Sequence, residues 1–287
     1  MKIVIGVDWS DEAFAAVRTV SDLFAPESLT LAHAIDLRPF ETPLIAPAIS
    51  RQAYEAFKDA MQTAGDEVLD ASSKQIPPGW SRIERVAEVG APTSVILDVA
   101  RKREADLIVV GSRGRNRLAE TVLGSVSHRV LAQAPCAVLI ARAPFAPIER
   151  IVLGVEGYDD GGRLVEWLTK ANFLRRPPVT VVSATPYPQY FDPVSVTAFG
   201  PWEQASCAAA QQLVNDISGQ LKSAGFAAAG AALRGDPARG LVDEDGTNAL
   251  IVVASHARKG FERALLGSVS HAVTHAAKCP VLVVPLS

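Results

Sequence analysis

Short apolar runs alternate with longer stretches of helical periodicity along the whole chain. This alternation predicts βαβ units and parallel sheets covered on both faces. Helices are expected near residues 11–24, 49–75, 92–103 and 125–134, and again near 160–174, 202–224, 237–245 and 268–277. The predicted strands are Lys2–Val7, Leu29–Ile35, Ile83–Val89, Leu107–Val110 and Ala137–Ala141, followed by Arg150–Val155, Val179–Ser183, Ala227–Leu233, Ala249–Ala254 and Val281–Val284.

The second half of the chain repeats the first. Residues 107–140 align without gaps to residues 250–283, and half of the aligned positions are identical. A Pro-bearing segment that suits neither helix nor sheet lies between the halves. We therefore expect two domains, residues 1–142 and 149–287, joined by a linker at 143–148, each with a doubly wound, five-stranded parallel sheet and helices on both faces.

A glycine-rich stretch follows the fourth strand of the first half. Gly111 and Gly114 stand three apart, nine residues intervene, and Gly124-Ser125-Val126-Ser127 opens a helix. Glycine permits positive φ and a close approach of the backbone to a ligand. The free N–H groups and positive dipole of a helix N-terminus attract anions. The stretch therefore predicts a phosphate site, although such turns also serve simply to join strand to helix.

Composition narrows the classes of function. The formal net charge is −3, with 48% hydrophobic and 21% charged residues, so no nucleic-acid or membrane partner is expected. The apolar runs are too short to span a bilayer, and the N-terminus enters a strand pattern at once, so we expect a cytoplasmic protein. The three cysteines are too scattered for a disulfide framework or a metal site, and reduced, buried thiols are expected.

The Gly-x-x-Gly, nine-residue, Gly-Ser pattern resembles the ATP-binding signature of the universal stress protein family, and the likeness covers nearly the whole chain. It implies two tandem Rossmann-like domains of the adenine nucleotide alpha hydrolase-like kind. It also implies ATP or another adenine nucleotide as ligand, with Mg²⁺ expected beside the phosphates. Related single-domain proteins pair their edge strands between subunits, so the resemblance implies an internal pseudo-dimer, with a homodimer as a further possibility and a protein partner still unknown.

The resemblance assigns roles to individual residues. The aspartate after the first strand contacts the adenine or ribose side in this family, which implies that role for Asp8, with Gly6 and Val7 in the same wall. Taken alone, without the resemblance, Asp8 is better suited to cap the helix that begins at Asp11. A backbone group just after a strand histidine binds adenine, which points to Ala34. The implied phosphate cradle comprises Val110, Gly111, Arg113, Gly114, Gly124, Ser125, Val126 and Ser127.

Three arginines and a histidine near this cradle each have two possible interpretations. Arg115 and Arg117 stand in the loop and are equally suited to solvent, whereas Arg113 lies inside the first Gly-x-x-Gly. His33 is interpreted as a core residue with no catalytic role, because a lone histidine in an apolar strand is usually satisfied by its surroundings.

The second half departs from the motif. Glu156 stands for the aspartate, Ala254 and Ala257 stand for the first two glycines, and His256 stands for Arg113. Each change adds atoms to the pocket, so we expect little or no nucleotide in this half. The Pro- and aromatic-rich segment 185–202 is predicted to be a connection whose aromatic side chains lie on their own domain or its neighbour; the alternative is that they receive a partner or cover a pocket. These side chains are Tyr187, Tyr190, Phe191, Phe199 and Trp202.

The function expected from the resemblance is an ATP-binding, nucleotide-responsive stress regulator. One alternative is a scaffold of the same fold that binds no nucleotide. Another is a slow ATPase, and enzymatic activity beyond that is not expected, because the loop has no Walker A lysine. An adenylyl transferase would carry a His-x-x-His or Ser-Gly-Gly signature near the first strand, and neither is present.

Overall fold

The computed structural model describes residues 1–42, 49–80, 82–114, 123–185, 193–243, 248–256 and 267–286. The chain divides into two compact units, Met1–Phe145 and Ala146–Ser287. The division falls inside the Pro-bearing segment that separates the two repeats.

The described residues of the first unit form five strands and four α-helices that alternate along the chain. Its strands are β1 (Lys2–Gly6), β2 (Ser28–Ile35), β3 (Ile83–Val89), β4 (Leu107–Gly111) and β5 (Ala137–Ala141). Its helices are α1 (Asp11–Leu23), α2 (Arg51–Ser73), α3 (Pro92–Arg103) and α4 (Ser125–Gln133). Each observed strand lies within two residues of its predicted bounds.

The second unit repeats this order. Its strands are β6 (Arg150–Gly154), β7 (Val179–Thr185), β8 (Ala228–Arg234), β9 (Ala249–His256) and β10 (Val281–Leu286). Its helices are α5 (Tyr158–Lys170), α6 (Pro193–Ser223), α7 (Pro237–Asp243) and α8 (Ser268–Ala276).

Within each unit the strands are parallel and the order is that of a doubly wound sheet. The first runs β3-β2-β1-β4-β5, and the second runs β8-β7-β6-β9-β10. In the first unit, Ile5 pairs with Leu31 of β2 on one side and with Val109 of β4 on the other. The chain therefore winds away from β1 in one direction and away from β4 in the other, and the predicted α/β fold is confirmed.

Burial explains why these runs form strands. All five residues of β4 and of β5 are buried, as are the three central residues of β1. Strands covered by helices on both faces need apolar side chains in both directions, which gives continuous runs instead of alternation. The start of α1 is also set by residues close in sequence, because the Ser10 side chain caps the helix by accepting a hydrogen bond from the Ala13 N–H at 3.2 Å.

The predicted connection at 185–202 is partly wrong, because α6 already begins at Pro193. Proline suits the first turn of a helix, where no intrahelical N–H bond is lost. The sequence nevertheless suggested a break, since Pro201 lies inside the helix. Trp202 lies on α6 and is 49% exposed. Tyr187, Tyr190 and Phe191 lie outside the described residues, as does the side chain of Phe199.

Two further expectations concern the membrane and the cysteines. Across the described ranges, no helix is both long enough and apolar enough to cross a bilayer. The three cysteines are free thiols; Cys279 is buried, whereas Cys136 and Cys207 are half-buried. Burial raises the pKa of Cys136 to about 12, so its thiol stays protonated at neutral pH.

Candidate functional site

The carboxyl ends of β1 and β4 lie side by side at the point where the strand order reverses. In open parallel sheets this crevice is where ligands bind. The register pairs Ile5 with Val109, so the residues that follow each strand leave the sheet at the same edge. The predicted groups Gly6–Asp8 and Val110–Gly114, about 100 residues apart in sequence, are therefore brought together.

Asp8 and Gly114 face each other across this crevice. A Cβ placed on Gly114 would lie 3.1 Å from Asp8 Oδ2. The other oxygen, Oδ1, accepts hydrogen bonds from the Ser10 N–H at 2.9 Å and from the Ser10 hydroxyl. The N-cap of α1 is Ser10, so the reading of Asp8 as the cap itself is wrong. Asp8 holds the capping residue in place and turns one oxygen toward the loop after β4.

The N-terminus of α4 closes the other end of the crevice. Its N-cap is Gly124, which has no side chain to accept from the N–H groups of the first turn. Those groups, on Ser125, Val126 and Ser127, have no acceptor within the helix, whose first bond runs from the His128 N–H to the Gly124 carbonyl at 2.9 Å. An uncapped helix N-terminus presents several donors and a positive dipole end to an anion.

Ser127 anchors this helix to the sheet. Its hydroxyl donates to the Gly111 carbonyl at 2.6 Å, and the residue is 3% exposed. The loop that leaves β4 is closed a second time, because the Gly124 N–H donates to the Ser112 carbonyl at 2.8 Å. The Ser127 hydroxyl proton is thus used in a hydrogen bond inside the protein, whereas Ser125 is exposed at the N-terminus of the helix.

The reason given for the motif glycines is partly wrong. None of the three adopts positive φ, and Gly124 has φ −62°. Close approach is what each requires. A Cβ on Gly111 would lie 2.7 Å from Glu12 Cβ, and one on Gly124 would lie 3.3 Å from the Ser112 carbonyl oxygen. Gly111 therefore makes room for the first turn of α1.

Gly6 also has a packing role. A Cβ there would lie 2.6 Å from Ile96 Cδ1 of α3 and 3.4 Å from Val110 Cγ1. The second unit keeps this arrangement, with Gly154 against Leu241 of α7 at 2.7 Å. Because glycine serves the same packing in both units, the fold is sufficient to explain why both halves have it. Its presence is therefore not evidence for nucleotide binding.

His33 is satisfied within the protein, as expected. Its Nδ1 lies 2.8 Å from the Val7 carbonyl oxygen, so the ring donates there as the Nδ1–H tautomer or as the cation. Gly65 of α2 passes close to the other side of the ring. His33 thereby fixes the carbonyl that directly precedes Asp8.

Ala34 carries backbone groups that point into the crevice. Along a strand between two parallel neighbours, successive residues direct their N–H and C=O groups to opposite sides. The Ile35 carbonyl accepts from Gly90, on the β3 side, whereas the Ala32 carbonyl accepts from Val7, on the β1 side. Ala34 therefore points toward β1, beyond its last residue, and within the described part of the chain no backbone hydrogen bond joins Ala34 to the residues after β1.

A charged pair follows β2. The Arg38 guanidinium donates to Asp36 at 2.7 Å and 2.6 Å, and this bonding holds the pKa of the Asp36 carboxyl below its usual value. The Asp36 carboxylate is thus paired and stays ionised near neutral pH.

Arg113 lies beside the first turn of α1. Its half-buried side chain lines a groove beside α1 together with Asp11 and Glu12. Arg115 and Arg117 lie outside the described residues. The structure thus places one predicted phosphate ligand on the side of the loop that faces α1.

The hydrogen bonds at the carboxyl ends of the strands differ in the second unit. The Asp160 carboxylate reaches back to accept from the Glu156 and Gly157 N–H groups at 2.8 Å and 2.7 Å, and the Glu156 side chain is exposed. The Ser270 hydroxyl donates to Gly267 in its own N-cap at 3.1 Å, so it does not tie α8 to β9 as Ser127 ties α4 to β4. Ala257 and the His256 side chain are outside the described part.

Three structural contributors were missed as site residues. The Ser10 hydroxyl donates to Asp8, and the Ser112 carbonyl accepts from the Gly124 N–H. Glu12 packs against Gly111, where a side chain would not fit. Ser10 carried a helix-start signal that pointed to its capping role, whereas the other two act through tertiary contacts that leave no local pattern. Within the described part of the first unit, no three carboxylate, imidazole or thiol groups converge to hold a metal ion.

Nearly the whole chain is similar to proteins of one known family. The model of the family described as universal stress protein family matches residues 1–142 and 147–285. A universal stress protein of Mycobacterium tuberculosis is 30% identical over 296 residues, covering 98% of this chain and 95% of that protein. One from Methanocaldococcus jannaschii is 31% identical over 146 residues, covering 50% of this chain and 82% of its own.

A solved structure has the same fold. The crystal structure of a universal stress protein from Archaeoglobus fulgidus superposes with a TM-score of 0.68, covering 100% of this chain and 98% of that one at 17% identity.

Proposed function

The chain belongs to the universal stress protein family, and we propose that it is a cytoplasmic stress regulator that binds one adenine nucleotide, with ATP as the ligand, in its first unit. One observation carries the proposal: the uncapped N-terminus of α4 opens onto the crevice where β1 and β4 end. The donors of this turn are of the kind that phosphate oxygens accept.

The two ends of the crevice suit the two ends of a nucleotide. The phosphates lie at Gly124 and Ser125, where N–H groups are free of intrahelical partners. Adenine lies at Ala34, whose N–H and C=O offer one donor and one acceptor to the base edge. Asp8 stands between them, and its free oxygen Oδ2 suits a ribose hydroxyl.

Mg²⁺ is expected to bind together with the nucleotide phosphates. Because the described residues of the first unit bring no three ligands together, the ion is held by phosphate oxygens and water. Such coordination is common for Mg²⁺, which keeps several of its waters. It accompanies the nucleotide and does not create a site by itself.

The nucleotide serves as a bound signal, and hydrolysis is slow. Fast phosphoryl transfer needs a positioned water and concentrated positive charge at the γ-phosphate. Asp8 is tied to Ser10 on the ribose side, and the donors of α4 hold the ground state about as well as the transition state.

The second unit takes little or no nucleotide. The Glu156 side chain is exposed, and the Ser270 hydroxyl bonds to the N-cap of its own helix, so it does not tie α8 to β9. The chain therefore carries one site and one structural partner domain.

Titration calorimetry with ATP tests the proposal on the intact chain. We expect about one ATP per chain. Gly114→Ala places a Cβ 3.1 Å from Asp8 Oδ2, and Asp8→Glu pushes the carboxylate toward Gly114, so each should weaken binding tenfold or more. Gly162→Ala is the matched control, since a Cβ there meets no atom within 4 Å.

Three results would contradict the proposal. Undiminished affinity in both Gly114→Ala and Asp8→Glu would remove the site assignment. Two equivalent sites would show that the second unit is competent. No adenine nucleotide in a mass spectrum of the purified protein, together with no heat on titration, would leave the nucleotide-free scaffold as the function.

A further inference from the structure

Two histidines stand one helical turn apart on α8 of the second unit. His271 and His275 are four residues apart, so their side chains are neighbours on the surface of the helix. Their ring centroids are 4.5 Å apart, and the ring planes are inclined by 35°. A ring nitrogen of His271 lies within 4.8 Å of a ring nitrogen of His275. The two imidazoles are therefore close enough to bind one ion together.

The separation of the two nitrogens is near that required for coordination. Nitrogens bound to one Zn²⁺ at about 2.0–2.1 Å in tetrahedral geometry are about 3.4 Å apart. Rotation of an imidazole about χ2, which is a broad torsion, brings the two nitrogens closer. Coordination by both rings thus needs a rotation of side chains and no movement of the backbone.

The helix that carries the pair is held firmly. Ser270, Val273 and Thr274 form the buried face of α8. The Thr274 hydroxyl donates to the His271 carbonyl at 2.9 Å, which fixes the backbone at the first ligand. The His271 side chain is exposed and that of His275 is half-buried, so the pair is accessible to an ion from solvent. Ligands on a rigid element are held near the geometry that binding requires.

The position of the pair along α8 also favours a cation. His275 lies in the last turn of the helix. The last carbonyl groups of a helix lack intrahelical partners and give its C-terminal end a partial negative charge. A positive ion bound at this end is therefore stabilised by the helix as well as by its ligands.

The repeat shows that the fold does not require this pair. The helices α4 and α8 align at an offset of 143 residues, and His128 corresponds to His271. Ala132 stands where α8 has His275. The first unit forms the same nine-residue helix with alanine at this position. The need for a helix at this place therefore does not explain His275, whereas a second metal ligand does.

We propose that His271 and His275 form a binding site for one divalent transition-metal ion, with Zn²⁺ as the representative. Imidazole nitrogen suits Zn²⁺, Cu²⁺ and Ni²⁺, whereas Mg²⁺ takes oxygen ligands. Each histidine supplies one nitrogen, and water completes the coordination. The site lies in the second unit and requires no nucleotide, so it stands or falls independently of the function proposed above.

Zn²⁺ titration of the intact protein without nucleotide tests the site. Nuclear magnetic resonance should show the imidazole signals of His271 and His275 moving together, with a dissociation constant of about 100 µM or tighter. The signals of His33, which is bonded to the Val7 carbonyl, should stay in place. Mg²⁺ at the same concentrations should move neither imidazole of the pair, because it prefers oxygen.

Substitution of each ligand completes the test. Loss of a partner outside the coordination shell already costs about 10–100-fold in metal affinity. His271→Gln and His275→Gln each remove a ligand, so each should weaken Zn²⁺ binding by about tenfold or more while the circular dichroism spectrum is unchanged. Ser268→Ala is the matched control, because it changes an exposed residue of the same helix and keeps both imidazoles. It should bind Zn²⁺ like the parent protein.

Three results would overturn the proposal. The first is no movement of either imidazole signal at about 1 mM Zn²⁺, roughly tenfold above the expected constant. The second is equal movement with Mg²⁺, and the third is undiminished Zn²⁺ binding in the folded variants. Should His275→Gln fail to fold, the exposed His271→Gln decides the question alone.

Discussion

Gly111→Ala tests whether the first motif glycine serves packing. The new Cβ would lie 2.7 Å from Glu12 Cβ and 2.9 Å from the Glu12 carbonyl carbon. Carbon atoms in contact normally stand about 3.5–4.0 Å apart. The end of β4 and the first turn of α1 must therefore separate by about 1 Å.

Neither β4 nor the first turn of α1 can shift without loss of other contacts. Gly111 pairs with Ala141 in the β4–β5 ladder, and the obstructing Glu12 atoms belong to or adjoin the helix backbone. Overpacking of this kind costs about 1–3 kcal/mol. For a protein of this size 1 kcal/mol shifts the melting temperature by about 2–4 °C, so the expected loss is roughly 2–12 °C.

Thermal and urea unfolding followed by circular dichroism, without nucleotide, measure this loss. Gly162→Ala is the control, since its Cβ meets no atom within 4 Å and a helix interior favours alanine by about 0.5–1 kcal/mol. Gly114→Ala should alter stability much less, because the obstruction is a side-chain oxygen. A Gly111→Ala protein as stable as the parent would refute the packing role.

Four further outcomes are expected. Ser127→Ala should lower stability by about 1–2 kcal/mol and weaken ATP binding several-fold, whereas Ser270→Ala should leave calorimetric ATP affinity unchanged. Iodoacetamide at pH 8 should label Cys207 faster than Cys136 by mass spectrometry, because the pKa of Cys136, raised to about 12, leaves little thiolate; equal rates would contradict this. Steady-state phosphate release from ATP should lie well below ~1 s⁻¹, and a faster rate abolished by Gly124→Val would indicate an ATPase. The sequence-based expectation of paired edge strands predicts that the halves, produced separately, dimerise in light scattering; two stable monomers would contradict it.

The α/β fold was predictable because its signals are local. Apolar runs such as Leu107–Val110 need only be read against their neighbours to indicate buried parallel strands, and the internal repeat showed that both halves share them. The one clear error, at Pro193–Pro201, arose because proline signals a break by itself, although the first turn of a helix accepts it.

The candidate site was only partly predictable. Asp8, Ala34 and the glycines that the family resemblance selected lie at the same edge of the sheet, and the strand order explains how they come together. The roles within that edge differ from the sequence interpretation, because Gly111 packs on α1 and the Ser127 hydroxyl holds α4 in place.

The sequence by itself determined the repeat, the strands and the uncapped glycine start of α4, since each depends on residues close together in the chain. Only the tertiary structure decided what each group faces. Glu12 reaches Gly111, and Asp8 reaches Gly114, across about 100 residues of sequence. Within the described residues, no backbone hydrogen bond joins Ala34 to the chain after β1, because β1 ends before it. Such contacts depend on where strands stop and helices pack, and no local periodicity encodes those distances.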